Sequence, residues 1–170
     1  MRYPRAKPVF RTKLGKLYVG LAEDLLAGEL GMRLRGKVQL LFTSPPFPLN
    51  HKKEYGNRSG EEYANWLKSL APAFGRLLTP DGSIVIEMGN AWEAKRPVQS
   101  LLSLRALIGF AEHPDAGLRL CQEFVCYNRA RLPSPAQWVT VNRIRVKDSY
   151  TDMEFLSDEF SEKFVPVGFI

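Results

Sequence analysis

Four consecutive residues, Ser44-Pro45-Pro46-Phe47, combine the groups in this chain best suited to chemistry on a small molecule or a base. Two prolines in a row fix φ and remove two N–H donors, so the turn they make is rigid. A hydroxyl, two imide carbonyls and an aromatic face project from it. Such a turn can grip a flat, amino-bearing heterocycle. The ring stacks on Phe47, while Ser44 and a proline carbonyl accept hydrogen bonds from the exocyclic NH2. The plainer reading of the same residues is that Pro45-Pro46 simply ends a strand. The histidines, His51 and His113, lie far apart, and Cys121 and Cys126 share one apolar segment without metal-ligand spacing. The expectation is no metal site, and reduced core cysteines in a cytoplasmic protein.

The charge pattern is the second feature with chemical content. The 170 residues carry a formal net charge of +6, which suits a polyanionic partner. The positive residues cluster in four places: Arg2 to Lys16, Lys52-Lys53, Arg129-Arg131 and Arg143 to Lys147. From Arg143 the chain alternates, with Arg143, Arg145 and Lys147 at odd positions and Ile144, Val146 and Asp148 at even ones. In a strand this places three cations on one face, either a phosphate track or an ordinary exposed sheet face. Lys52 and Lys53 follow directly on the Ser-Pro-Pro-Phe turn and can reach phosphate.

The elements that must position these groups read as α/β. Val38 to Phe42 is a short apolar run of the kind a covered parallel strand gives, and the prolines stop it. In open α/β folds ligands bind at such carboxyl ends. Lys16 to Gly20 reads as a strand, and Ala22 to Met32 as a helix with Leu25, Leu26 and Leu30 on one face. Ser59 is a reasonable N-cap with Glu62 three residues on. Tyr63, Trp66, Leu67, Leu70, Phe74 and Leu77 then recur at helical spacing as a core stripe. Thr79-Pro80-Asp81-Gly82 predicts a turn, and Ser83 to Asn90 a buried strand. Pro97 to Phe110 predicts a helix with Leu101, Leu104, Leu107 and Ile108 inside. Leu118 to Tyr127 and Trp138 to Asp148 are rich in strand formers. A composition 45% hydrophobic is that of a globular domain, and no apolar run approaches a membrane span or a signal peptide.

Ser44-Pro45-Pro46-Phe47, followed closely by Lys52-Lys53-Glu54-Tyr55-Gly56-Asn57, resembles the β-class DNA amino-methyltransferases, in the form usual for the cytosine-N4 subgroup. The block from Leu132-Pro133-Ser134-Pro135 through Trp138 to Asn142 and Asp148 is similar to the same subgroup, in the same order. The resemblance runs from about Gly15 to Thr151. It implies a Rossmann-like S-adenosylmethionine-dependent methyltransferase fold, here partial, with helices on both faces of the sheet. It implies methyl transfer from S-adenosylmethionine to cytosine N4 in double-stranded DNA, as in restriction-modification systems. Ser44, Pro45, Pro46 and Phe47 would form the catalytic turn, Thr43 and Ser44 would border the cofactor, and Lys52, Lys53, Arg143, Arg145 and Lys147 would contact the DNA backbone. Adenine N6 is the alternative target, for which Asp is the more usual first residue of the motif.

The chain departs from the family in two places. The strand before the first helix usually ends in an acidic residue that helps hold the cofactor; here Leu21 stands at that place, with Glu23 and Asp24 slightly later. The late glycine-rich loop, Asp-x-Phe-x-Gly-x-Gly or similar, has no counterpart in the sequence. The expected organisation is a basic arm over residues 1–14, a catalytic-half domain over 15–150 and a divergent acidic tail over 151–170. Either a second chain carries the cofactor loop, or the chain is a DNA-binding remnant or partner subunit.

Overall fold

In the computed structural model, which describes residues 6–46, 58, 60–89, 98–127 and 150–158, the chain opens on a short hairpin. Strand β1 (Phe10–Arg11) pairs antiparallel with β2 (Lys16–Leu17). Thr12 makes the turn, its Oγ1 accepting from the N–H of Leu14 at 3.2 Å and of Gly15 at 2.9 Å. The end of the expected extended arm is therefore folded back on itself. The expected helix over 22–32 is two helices, α1 (Ala22–Ala27) and α2 (Glu29–Leu34). Gly28 separates them with an extended backbone (φ −92°, ψ −160°), which glycine adopts at little cost and which interrupts the helical ladder.

Strand β3 (Val38–Thr43) follows a left-handed turn at Gly36 (φ 65°). Helix α3 (Gly60–Gly75) crosses over to β4 (Leu78–Met88), which pairs with β3 in parallel. This is a β-α-β unit, as the pattern of apolar runs predicts. Ser59, the expected N-cap, lies outside the described residues. Thr79 to Gly82 is not a free turn between elements. It bulges within β4: Val38 pairs with Leu78, and the next partners are Leu40 and Ser83. Gly82 sits against the backbone there, a Cβ on it falling 2.7 Å from the Val38 carbonyl oxygen.

Helix α4 (Leu102–Ala111) leads to β5 (Leu118–Tyr127) and then β6 (Tyr150–Asp158). The four-stranded sheet has the order β3-β4-β6-β5, with β6 antiparallel to both of its neighbours. A boundary at residue 150 would cut into this strand. The acidic stretch after Tyr150 belongs to the middle of the sheet, where Leu156 lies opposite Ile84 on one side and Leu120 on the other. The expected strand over 138–148 lies outside the described residues.

The core lies between the sheet and α3 and α4. Ile84, Ile86 and Leu156 are fully buried, with Leu67, Phe74, Ala106 and Phe110 packed over them. Phe74 and Phe110 meet edge to face, centroids 6.0 Å apart. Leu26 of α1 joins the same cluster from its margin. Among the described residues α1, α3 and α4 thus gather on one face of the sheet. Helix α4 is rotated from the expected setting. Leu107 is buried, but Ser103, Ala106, Phe110 and Ala111 share its inner face, and Leu101, Leu104 and Ile108 are about half exposed. Small residues on the inner face permit close approach to α3, which a purely hydrophobic periodicity does not foresee. Cys121 and Cys126 are thiols, as expected, but exposed rather than in the core, because β5 is an edge strand of the sheet.

Candidate active site

The carboxyl ends of β3 and β4 define the site. Thr43 is the last residue of β3 and pairs with Ile86. The chain then leaves the sheet as Ser44-Pro45-Pro46. Ser44 and Pro46 are exposed, whereas Pro45 is buried. The turn is thus anchored through one proline and presents the hydroxyl of Ser44 to solvent. Phe47, Lys52, Lys53, Arg143, Arg145 and Lys147 lie outside the described residues. Because α3 runs from the carboxyl end of β3 to the start of β4, its first turn lies at the same end of the sheet as Ser44.

A cluster at that first turn was not legible from spacing. The Trp66 indole N–H donates to Oε1 of Glu23 at 2.5 Å, tying α3 to α1. Arg58 lies 5.0 Å from the centre of the Trp66 ring and 3.8 Å from Glu23. The Trp66 hydrogen bond holds the Glu23 carboxyl below its ordinary value, helped by its own backbone N–H and by Arg58. Glu23 was one of two acids near the place where the family carries its cofactor-holding residue. Here its carboxylate is engaged by the fold. The one signal in the sequence was Trp66 itself, whose half-buried N–H needs an acceptor.

Tyr63, one turn earlier on α3, is almost completely buried, with its ring 5.8 Å from that of Trp66. Its hydroxyl has no hydrogen-bond partner among the described residues. Burial pushes the phenol up to about 12, so it stays neutral through the physiological range. Among the described residues no group of His, Cys, Asp and Glu could hold a metal ion, and no helix is long and apolar enough to cross a membrane.

A parallel β-α-β unit with a rigid Ser-Pro-Pro turn at its carboxyl end, followed by an antiparallel pair at the sheet's far edge, is the architecture of part of a nucleic-acid methyltransferase. The comparisons with known proteins agree. The family model described as DNA methylase matches residues 38–157. Type II methyltransferase M.PvuII of Proteus hauseri is 36% identical over 151 residues, which are 89% of this chain and 43% of that protein. A solved PvuII DNA methyltransferase, cytosine-N4-specific, superposes with a TM-score of 0.72 at 36% identity, covering 89% of this chain and 52% of that one. A DNA modification methylase from Thermus thermophilus, solved with S-adenosyl-L-methionine, shares the fold at 20% identity (TM-score 0.56), covering 87% of this chain and 55% of that one. The chain belongs to the DNA methylase family that includes the cytosine-N4 enzymes. It spans about half the length of the relatives it matches.

The turn at Ser44 can hold an acceptor base, whereas the methyl donor's glycine cradle is not among the 170 residues.

Proposed function

We propose that this chain is the base-gripping half of a cytosine-N4 DNA methyltransferase that uses S-adenosylmethionine. The observation that carries the reading is the Ser44-Pro45-Pro46 turn at the carboxyl end of β3, in a chain 36% identical to M.PvuII. The target base leaves the duplex stack, at a cost of roughly a few kcal/mol. Ser44 accepts from one N4–H and the Pro45 carbonyl from the other, which aims the nitrogen lone pair. Pro46 keeps the turn rigid, and Phe47 stacks on the ring. Catalysis is then mainly positioning, and the proton leaves the amino nitrogen after transfer, since Ser44 is no base. S-adenosylmethionine supplies the electrophilic methyl group, with Thr43 and Ser44 bordering it. Lys52, Lys53, Arg143, Arg145 and Lys147 neutralise phosphates of double-stranded DNA. The cofactor cradle comes from further polypeptide, in a bacterial-type restriction-modification setting in the cytoplasm.

The test is transfer of a labelled methyl group to duplex DNA, run with the chain alone and with the part of M.PvuII that it does not match. Activity in the mixture is expected to fall about a hundredfold or more in Ser44→Ala, the size of effect that lost positioning gives. Undiminished activity in Ser44→Ala would remove the turn from the mechanism. Product analysis that found N6-methyladenine would replace the target.

A further inference from the structure

The chain's excess charge is confined to its first segment. Residues 1–22 hold six of the 24 lysines and arginines and none of the 18 acids, so the net +6 comes from this segment and the remainder is balanced. Lys7, Arg11, Lys13 and Lys16 of the segment are described, and all four are exposed. None of them takes part in an ion pair among the described residues. The hairpin sorts its side chains by face. Arg11 pairs directly with Lys16, and Phe10 with Leu17, so the two cations share one face and the two apolar residues the other. Like charges directly opposite in an antiparallel pair destabilise it. An anion seated between them removes that repulsion.

We propose that the cationic face of the β1–β2 hairpin grips the phosphate backbone of duplex DNA beside the target base, through Arg11 and Lys16, with Lys13 at the turn. The inference deepens the function proposed above and rests on it. The hairpin's tether places it. Glu23, near the start of α1, meets Trp66 and Arg58 at the N-terminal end of α3, which is the Ser44 end of the sheet. Lys16 stands seven residues before Glu23, a reach of at most about 25 Å. One turn of duplex measures about 34 Å, so the phosphates that flank a base held at Ser44 are the ones the hairpin can meet. Phosphate also suits the two side chains, a forked guanidinium and a compact ammonium. An anionic membrane fits less well, because it would occupy the end of the sheet that must face the duplex.

The probe is a fluorescein-labelled DNA duplex of about two helical turns, titrated with the full chain and followed by anisotropy over a range of salt. Arg11→Gln/Lys16→Gln should weaken binding about tenfold or more at moderate salt. It should also flatten the slope of log affinity against log salt by about 1.8, the share of two phosphate contacts. The loss should be the same on unrelated duplex sequences, since phosphates carry no sequence. Arg35→Gln/Lys37→Gln removes the same charge at the amino end of β3 and should change affinity by less than about twofold, screened by salt. Lys16→Glu replaces the like-charge pair by an opposite one, so it should melt no lower than wild type while weakening DNA binding at least as much as Lys16→Gln. Equal losses in the two double variants would reduce the effect to net charge and overturn the proposal. So would an unchanged salt slope, failure of the wild-type chain to bind duplex, or vesicles of phosphatidylserine and phosphatidylcholine that displace the DNA through Arg11 and Lys16. DNA binding that survives Arg11→Gln/Lys16→Gln strikes the hairpin and leaves the proposed reaction standing. Binding that needs the hairpin, in a mixture that transfers no methyl group, leaves the hairpin contact and strikes the reaction instead.

Discussion

The two faces of the sheet differ in how far each is finished. On one face Ile84, Ile86 and Leu156 are fully buried beneath α3 and α4, and Phe74 meets Phe110 above them. On the other, Leu40 and Phe42 of β3 expose more than half their surface. Ile84 and Ile86 of β4 and Leu40 and Phe42 of β3 all come from runs that read as apolar strands in sequence. One face draws its covering from α3, the crossover helix of the β-α-β unit, and from α4, which follows that unit. The other face needs a layer that the described residues do not contribute. What this teaches is that a sheet can hold a well-packed core on one face while apolar side chains on its other face stay exposed among the described residues. The Ser44-Pro45-Pro46 turn lies where the two conditions meet, at the end of the strand that is covered on one face and bare on the other.

The comparison can be broken most directly by truncating a residue on each face. Ile86→Ala removes buried methylenes between the sheet and the helices and is expected to cost about 2–5 kcal/mol. Leu40→Ser on the bare face should stay within about 0.5 kcal/mol. Urea unfolding of the two variants measures both, and similar losses would mean that the outer face is covered in solution.

A smaller effect is expected at Glu23, which ties α1 to α3 through Trp66. Its folded-state value is lowered, so its contribution is present above the ordinary value of 4.5 and is lost as pH falls through the lowered one. Glu23→Gln should therefore destabilise at neutral pH by no more than about 1 kcal/mol, because the carboxylate is about a third exposed. The difference from wild type should shrink as pH falls below 4.5 and through the lowered value. Paired unfolding curves at neutral and at acid pH, followed by tryptophan fluorescence, are the check; a difference that persists undiminished in acid would assign the contact to packing rather than charge.

The smallest effect belongs to Tyr63. Its buried hydroxyl has no partner among the described residues, so Tyr63→Phe should leave stability within about 0.5 kcal/mol of wild type or raise it. A loss well above that would show the hydroxyl to be bonded in solution, at the end of α3 nearest the Ser44 turn.

Much of this was legible before any coordinates. Val38 to Phe42 announced a parallel strand as a short apolar run, and Pro45-Pro46 fixed where it had to stop. Tyr63, Leu67, Leu70 and Phe74 gave α3 by helical spacing, and Leu118 to Tyr127 gave β5 by composition. The rigidity of the Ser44-Pro45-Pro46 turn and the hydrogen-bonding groups it offers were legible too, because both are local properties of those residues. Other features depended on pairings remote in the chain. Tyr150 to Asp158 reads as an acidic tail, and it is a central strand because β4 and β5 hold it on both sides. Helix α4 is apolar nearly all round, so contact with α3 rather than periodicity chose which side faces in. Cys121 and Cys126 are exposed because β5 sits at the sheet's edge. Glu23 became a partner of Trp66 when two helices, 43 residues apart in sequence, came together. By itself, then, the sequence determined the rigid proline turn and the local periods, which short-range sterics and hydrophobic spacing control. Tertiary structure alone decided which apolar faces were covered, since burial depends on what other segments pack against a strand and not on the strand's own residues.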